Sequence, residues 1–156
     1  MFRNMRRFKQ QLPQEECERI LRENPRGVLA VLGDMDYPYA VPLNFVYDRG
    51  CIYFHSALTG HKIEAARQHD KASFCVTEQQ ELSDDGWSYY WKSVIAFGRL
   101  REITDEDEKT EKLRFLGNKY FPTREMTESD IKKNGARCAV LELSIEHMTA
   151  KRVHER

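Results

Sequence analysis

Residues 54–62 read Phe-His-Ser-Ala-Leu-Thr-Gly-His-Lys, which gathers two hydroxyls, a glycine, two imidazoles and an ammonium in nine positions. The stretch has the form of a strand end, a small polar loop and a helix start, with His61 and Lys62 in the helix's first turn. A helix N-terminus carries roughly half a positive charge, so cations there cost stability, whereas an anion gains it. The free first-turn amides make the same place a ready anion site. Ser56 and Thr59 add hydroxyls, Gly60 permits close backbone approach, and His61 and Lys62 add charge, which together suit a phosphate. Thr59 is also a good helix N-cap, so the other reading is a capped helix whose cations are merely solvated.

Other residues invite chemistry less specifically. Pro42, in the middle of Tyr-Ala-Val-Pro-Leu-Asn-Phe-Val-Tyr (residues 39–47), removes a ladder donor from a strand. Either it marks an ordinary edge strand, or the backbone near Val41, Leu43 and Asn44 is left free for a flat, hydrogen-bonding ligand. Cys51, His55 and His61 raise the question of a metal, but four strand residues separate Cys51 from His55 by roughly 13 Å. No metal site is therefore expected. Trp87, Tyr89, Trp91 and Ser93 share one face of an aromatic strand, suited to a core, a subunit contact or a planar cofactor. Nucleophile elbow, phosphate-binding loop, dinucleotide fingerprint and paired acid–base carboxylates are all missing. The acidic run Asp105–Glu108 reads as a solvated helix first turn.

The elements that must position these groups follow from periodicity. A helix begins near Pro13, placed at its first position, and ends at Pro25. Three short strands joined by tight turns come next, then the helix after residue 60. A fourth strand precedes a long fifth one with a bulge expected at Gly98. Thr104 and Asp107 resemble a capping box for the next helix. Pro122 to Asn134 reads as irregular with a turn or two of helix, and such a polar loop suits the wall of an acceptor pocket. A final strand closes the chain. The predicted class is thus mainly β with α: a single domain over residues 1–156, a six-stranded antiparallel barrel with flanking helices. Side chains fill so small a barrel, so a sizeable ligand belongs outside it, against a second subunit.

Composition sets limits on partners. With 25 basic and 25 acidic residues there is no field to attract nucleic acid or an anionic membrane. No apolar run is long enough to span a bilayer, and the first residues lack a signal-like stretch. Cys17, Cys51, Cys75 and Cys138 are scattered, as expected of free thiols in a reducing, cytoplasmic compartment.

Four segments carry a family resemblance: the opening MFRNMRRFKQQLPQEECERIL, the stretch GVLAVLGDMDYPYAVPLNFVYDRGCIYFHSALTGHKIEAARQHDKASFCV, then WKSVIAFGRLREI and LSIEHMTAKR. In these the chain resembles the FMN-binding split β-barrel superfamily of pyridoxamine 5′-phosphate oxidase and, more narrowly, the 5-nitroimidazole resistance (Nim) proteins. The resemblance implies FMN at the interface of a homodimer. His55, Ser56, Thr59, His61 and Lys62 would line its phosphate and ribityl end. The backbone of Val41, Pro42, Leu43 and Asn44 would face the isoalloxazine ring, and Lys92, Ser93 and Val94 would approach from the fifth strand. His55 is the counterpart of a Nim histidine linked to nitroimidazole handling, and equally suits a phosphate-side donor. The implied activity is electron transfer from NAD(P)H to a small acceptor, with nitroaromatics as one candidate. The alternative is a non-catalytic module that holds flavin, haem or deazaflavin as sensor or carrier. The arginine-rich C-terminal signature of vitamin B6 oxidation is not found here.

Overall fold

The computed structural model describes residues 1–78 and 80–154. The elements begin with β1 (Gln11–Leu12), α1 (Gln14–Glu23), β2 (Arg26–Leu32), β3 (Pro38–Asn44), β4 (Val46–Asp48) and β5 (Cys51–Ala57). There follow α2 (His61–Gln68), β6 (Lys71–Thr77), β7 (Glu81–Leu82), β8 (Tyr89–Glu102), α3 (Glu106–Tyr120), α4 (Arg124–Asn134) and β9 (Cys138–His154). All strand pairs are antiparallel, in the order β3-β2-β6-β8-β9-β5-β4, with β1 added to β9 and β7 to β8.

The strands β3 and β4 stand at opposite ends of that order, yet only Phe45 separates them in the chain. The sheet must therefore curl back on itself, which gives a split barrel. Tyr120 fastens this corner. Its hydroxyl accepts from the Phe45 amide at 2.8 Å and can donate to the Phe45 carbonyl at 2.7 Å. The interior is filled rather than hollow: Phe45 and Phe54 both meet Phe74 edge-on, with centroids 4.8 and 5.1 Å apart. Cys17, Ile20 and Leu21 of α1 and Ile63, Ala65 and Ala66 of α2 complete this core. A second, smaller cluster lies on the other face of β5, where Tyr53 and Val140 pack under Leu116 of α3.

The fold class agrees with expectation, but several local readings need correction. Nine strands form among the described residues instead of six, because three short ones (β1, β4, β7) join the six long ones. The strand expected over residues 39–47 is broken at Phe45. Residues 124–134, expected to be irregular, form α4, capped by Thr123 accepting from the Met126 amide at 3.3 Å. The cap of α3 is Asp105, not Thr104, and accepts from Glu108 N at 2.8 Å. Pro13 is the N-cap of α1 rather than its first helical residue, so the helix starts at Gln14, one position later than predicted. The irregularity expected at Gly98 is found between Phe97 and Gly98, but the extra residue is Glu146 on the partner strand β9, and Gly98 is needed there because a side chain would come within 2.1 Å of the Ser144 carbonyl oxygen.

Candidate functional site

The loop from β5 to α2 begins with two neighbours that look in opposite directions. Along β5 the side chains alternate, so Ile52, Phe54 and Ser56 turn to the barrel core while Tyr53 and His55 turn out toward α3. Ser56 is only 4% exposed, and among the described residues its hydroxyl oxygen has no hydrogen-bond partner. His55 is exposed and borders a separate cavity.

The first turn of α2 is not capped by Thr59. Gly60 stands at the N-cap with φ of 120°, a conformation that only glycine adopts without strain, and its amide donates to Glu64 Oε1 at 3.1 Å. Thr59 is exposed. His61 leans away from the loop: its ring stacks on Tyr39 with centroids 4.0 Å apart, and its Nε2 accepts from the Asp34 amide at 3.2 Å. These contacts tie α2 to the β2–β3 turn. Lys62 is half-buried. Among the described residues its ammonium forms no ion pair, and the His61 and Lys62 amides have no acceptor. Arg67 steadies the loop from the far end of α2. It grips Glu102 through Nε at 2.8 Å and Nη2 at 3.1 Å and reaches the Leu58 carbonyl at 3.4 Å.

The β3 residues straddle the sheet. Val41 and Leu43 pack against the core, whereas Pro42 is exposed on the outer face of a strand paired only with β2. Pro42 thus lies on an edge strand. The register continues its row through Val28, Cys75, Ile95 and Thr149 across five strands. Val28 and Ile95 remain 40% and 38% exposed, so this outer face leaves apolar side chains open to solvent. Phe2 lies over its far side, stacked on His147 at 4.6 Å.

The three residues expected from the fifth strand separate. Val94 is completely buried in the barrel core and offers no side-chain surface to a ligand. Ser93 is buried on the outer face beneath the N-terminal residues. Lys92 is committed elsewhere: its Nζ lies 2.6 Å from Glu16 and 3.7 Å from Glu78, and Arg19 bonds the same two carboxylates. Hydrogen bonds from Arg19 and then Lys92 hold the Glu16 carboxyl down to about 2.

On the outward side of β5 a cavity of about 250 Å³ lies between His55 and the α3–α4 hairpin. Its walls are largely apolar, from Leu113, Leu116, Tyr120, Phe121 and Ile131, with Asn44 and Asp130 at the rim beside His55. Only the α4 part of this wall was anticipated from the sequence. The apolar stripe 113, 116, 120 at helical spacing was the signal for the rest. Lys119 beside it points away, donating to the Asn24 carbonyl at 2.7 Å, and burial pushes its ammonium down to about 8. Among the described residues no group of three or more His, Cys, Asp or Glu side chains is placed to hold a metal, and no helix is long and apolar enough to cross a membrane.

A curled antiparallel sheet with apolar side chains exposed on its outer face and a polar loop at a helix start defines a split-barrel protein. The chain belongs to the pyridoxamine 5′-phosphate oxidase family, whose model matches residues 13–152. Among solved structures it is similar to a candidate 5-nitroimidazole antibiotic resistance protein from Bacteroides thetaiotaomicron, with TM-score 0.77 and 20% identity over 92% of this chain and 87% of that one. An FAD-binding protein from Mesorhizobium loti aligns with TM-score 0.68 and 25% identity over 92% and 96% of the two chains. An FAD- and haem-binding protein from Mycobacterium smegmatis gives 0.74 and 22% over 91% and 72%. A comparison with curated proteins finds no match.

Proposed function

We propose that this protein is an FMN-dependent oxidoreductase, active as a homodimer with flavin between the subunits, that passes electrons from NAD(P)H to a small acceptor such as a nitroaromatic. The observation that carries this reading is Ser56. A buried hydroxyl without a partner costs about 1–3 kcal/mol, and Ser56 lies in the strand that leads into the loop whose far end carries Lys62 and two amides that have no partner among the described residues. A phosphate monoester would meet these needs together. Lys62 would balance its charge, while Glu64 and Arg67 hold the loop in shape. Pro42 and the outer edge of β3 would offer a flat surface to the ring, backed by Val41 and Leu43. When bound, FMN would supply the redox chemistry, which accounts for the lack of an acid–base pair on the protein.

The exposed Val28 and Ile95 in the row from Pro42 to Thr149 support the homodimer, since a second copy of the same face would remove that apolar surface from water. Free cysteines at 17, 51, 75 and 138 support a reducing, cytoplasmic setting. A second reading, a flavin or haem carrier without turnover, draws on the mycobacterial neighbour that binds FAD and haem.

The test is the visible spectrum of the purified protein with the mass of whatever heat releases. The expected mass is FMN; FAD or haem would redirect the assignment. Riboflavin, lacking the phosphate, should bind at least about tenfold more weakly than FMN, and equal affinity would sink the cradle. Steady NAD(P)H oxidation with an added acceptor separates a catalyst from a carrier.

A further inference from the structure

We infer that the cavity under α3 and α4 is the acceptor site, and that it takes small single-ring aromatic molecules, neutral or cationic, while rejecting those that carry a carboxylate or phosphate. The acceptor role rests on the flavin reading above; the ligand class rests on the cavity itself. At about 250 Å³ it falls below the roughly 300–1,000 Å³ of sites for drug-sized ligands, so it has room for one ring and a substituent. Leu113, Leu116 and Ile131 supply apolar walls, and Tyr120 and Phe121 supply ring faces. The polar groups left for a ligand are few. The Tyr120 hydroxyl is used on Phe45, and that of Thr127 turns to the Thr123 carbonyl at 3.5 Å. Asn44 Oδ1 accepts from Arg26 at 3.1 Å, which leaves its NH₂ group free to donate. The His55 imidazole, the Asp130 carboxylate and the Cys138 thiol complete the set. One oxygen of Asp130 accepts from Asn134 at 2.7 Å, and the other is available.

Charge then selects the ligand. Among the described residues the cavity has one carboxylate in its lining and no lysine or arginine. An anionic ligand would sit beside Asp130 with no counter-charge in a partly desolvated space, whereas a neutral ring loses nothing there. His55 and Asn44 belong to β5 and β3, the strands proposed to flank the flavin, and that is the ground for giving this cavity the acceptor role. The molecule thus separates two ligand chemistries: anion at the α2 loop, uncharged ring under α3 and α4.

The test is calorimetric titration of the full-length protein with 4-nitrobenzyl alcohol and with 4-nitrobenzoate, which differ in charge at one substituent. The alcohol should bind at least about tenfold more tightly. Ile131→Trp should weaken the alcohol by at least about tenfold by filling the space, with FMN affinity and Tm unchanged. Asp130→Asn should bring the benzoate to within about threefold of the alcohol. Equal affinities in the wild type, or an Ile131→Trp protein that binds the alcohol as before, would overturn the inference. So would undiminished discrimination in Asp130→Asn. Failure to bind FMN with this selectivity intact would overturn the flavin reading and keep the cavity's ligand class. FMN binding without the selectivity would do the reverse.

Discussion

Two adjacent residues of β5 open onto different compartments. Ser56 faces the barrel interior beside the start of α2, and His55 faces the cavity under α3 and α4. The first compartment is local: a strand end, three loop residues and one helical turn supply all its polar groups. The second is assembled from β3, β5, α3, α4 and the start of β9, and none of those segments declares it alone. On the proposed reading, a one-residue step along one strand changes the ligand chemistry from phosphate to uncharged ring, because side chains alternate across the sheet. The difference teaches that a contiguous motif can serve two sites, and that grouping His55 with Ser56 on sequence proximity joins what the pleat divides.

The largest effect that could break this division comes from Lys62→Ala. It should weaken FMN binding by about 1.5–3 kcal/mol, as expected for loss of a charged hydrogen bond to phosphate, and leave 4-nitrobenzyl alcohol untouched. Titration of both ligands decides it, and loss of both would merge the two compartments into one. Next comes Tyr120→Phe, which strikes the corner that both share. Without the hydroxyl, the Phe45 amide and carbonyl lose their partner, a cost of about 1–3 kcal/mol that thermal unfolding would show. An unchanged Tm would mean that the barrel closes at Phe45 without this fastening.

The pair Ser56→Ala and His55→Ala sharpens the comparison. Removing an unpartnered hydroxyl from the core should leave the ligand-free protein as stable or up to about 1 kcal/mol more so, yet weaken FMN by roughly that amount. His55→Ala should do the opposite, sparing FMN and weakening the ring ligand. If Ser56→Ala destabilises the ligand-free protein, the hydroxyl has a partner inside the barrel and the phosphate argument loses its main support.

What the sequence revealed follows the same line between local and assembled. The six long strands were legible because apolar positions either run together, as in Val28–Leu32, or alternate along them, and the irregularity because a glycine interrupts a β-branched run. The α2 loop was legible because its hydroxyls, glycine and lysine are consecutive. Helix α4 was not, since it is polar on nearly every side and buries only Thr127, leaving no 3.6-residue signal. The break at Phe45 was hidden because Phe-Val-Tyr continues a strand-like pattern; only Tyr120, 75 residues away, marks it as a corner. The orientation of His61 depends on Asp34 and Tyr39, which no local pattern brings near. Thr59 and Thr104 were reasonable caps by type, but a glycine in one case and the following aspartate in the other hold the position.

The two lysines assigned to the flavin make the last and smallest test. Lys62 has no ion pair among the described residues, whereas Lys92 shares Glu16 and Glu78 with Arg19 and joins β8 to α1. If Lys92 is structural, Lys92→Met should leave FMN affinity unchanged and alter the acid limb of stability instead. Glu16 has its folded pKa lowered to about 2. Its contribution is therefore fully present above the unfolded value near 4.5 and is lost as pH falls toward 2. With one of its two cationic partners gone, that carboxyl is lowered less, so the fall in stability between about pH 5 and 2 becomes shallower, by roughly 0.5–1 kcal/mol for so exposed a network. Urea unfolding at several pH values measures this. A Lys92→Met protein with wild-type acid sensitivity and weakened FMN binding would return Lys92 to the flavin site and leave Lys62 as one of two cations there.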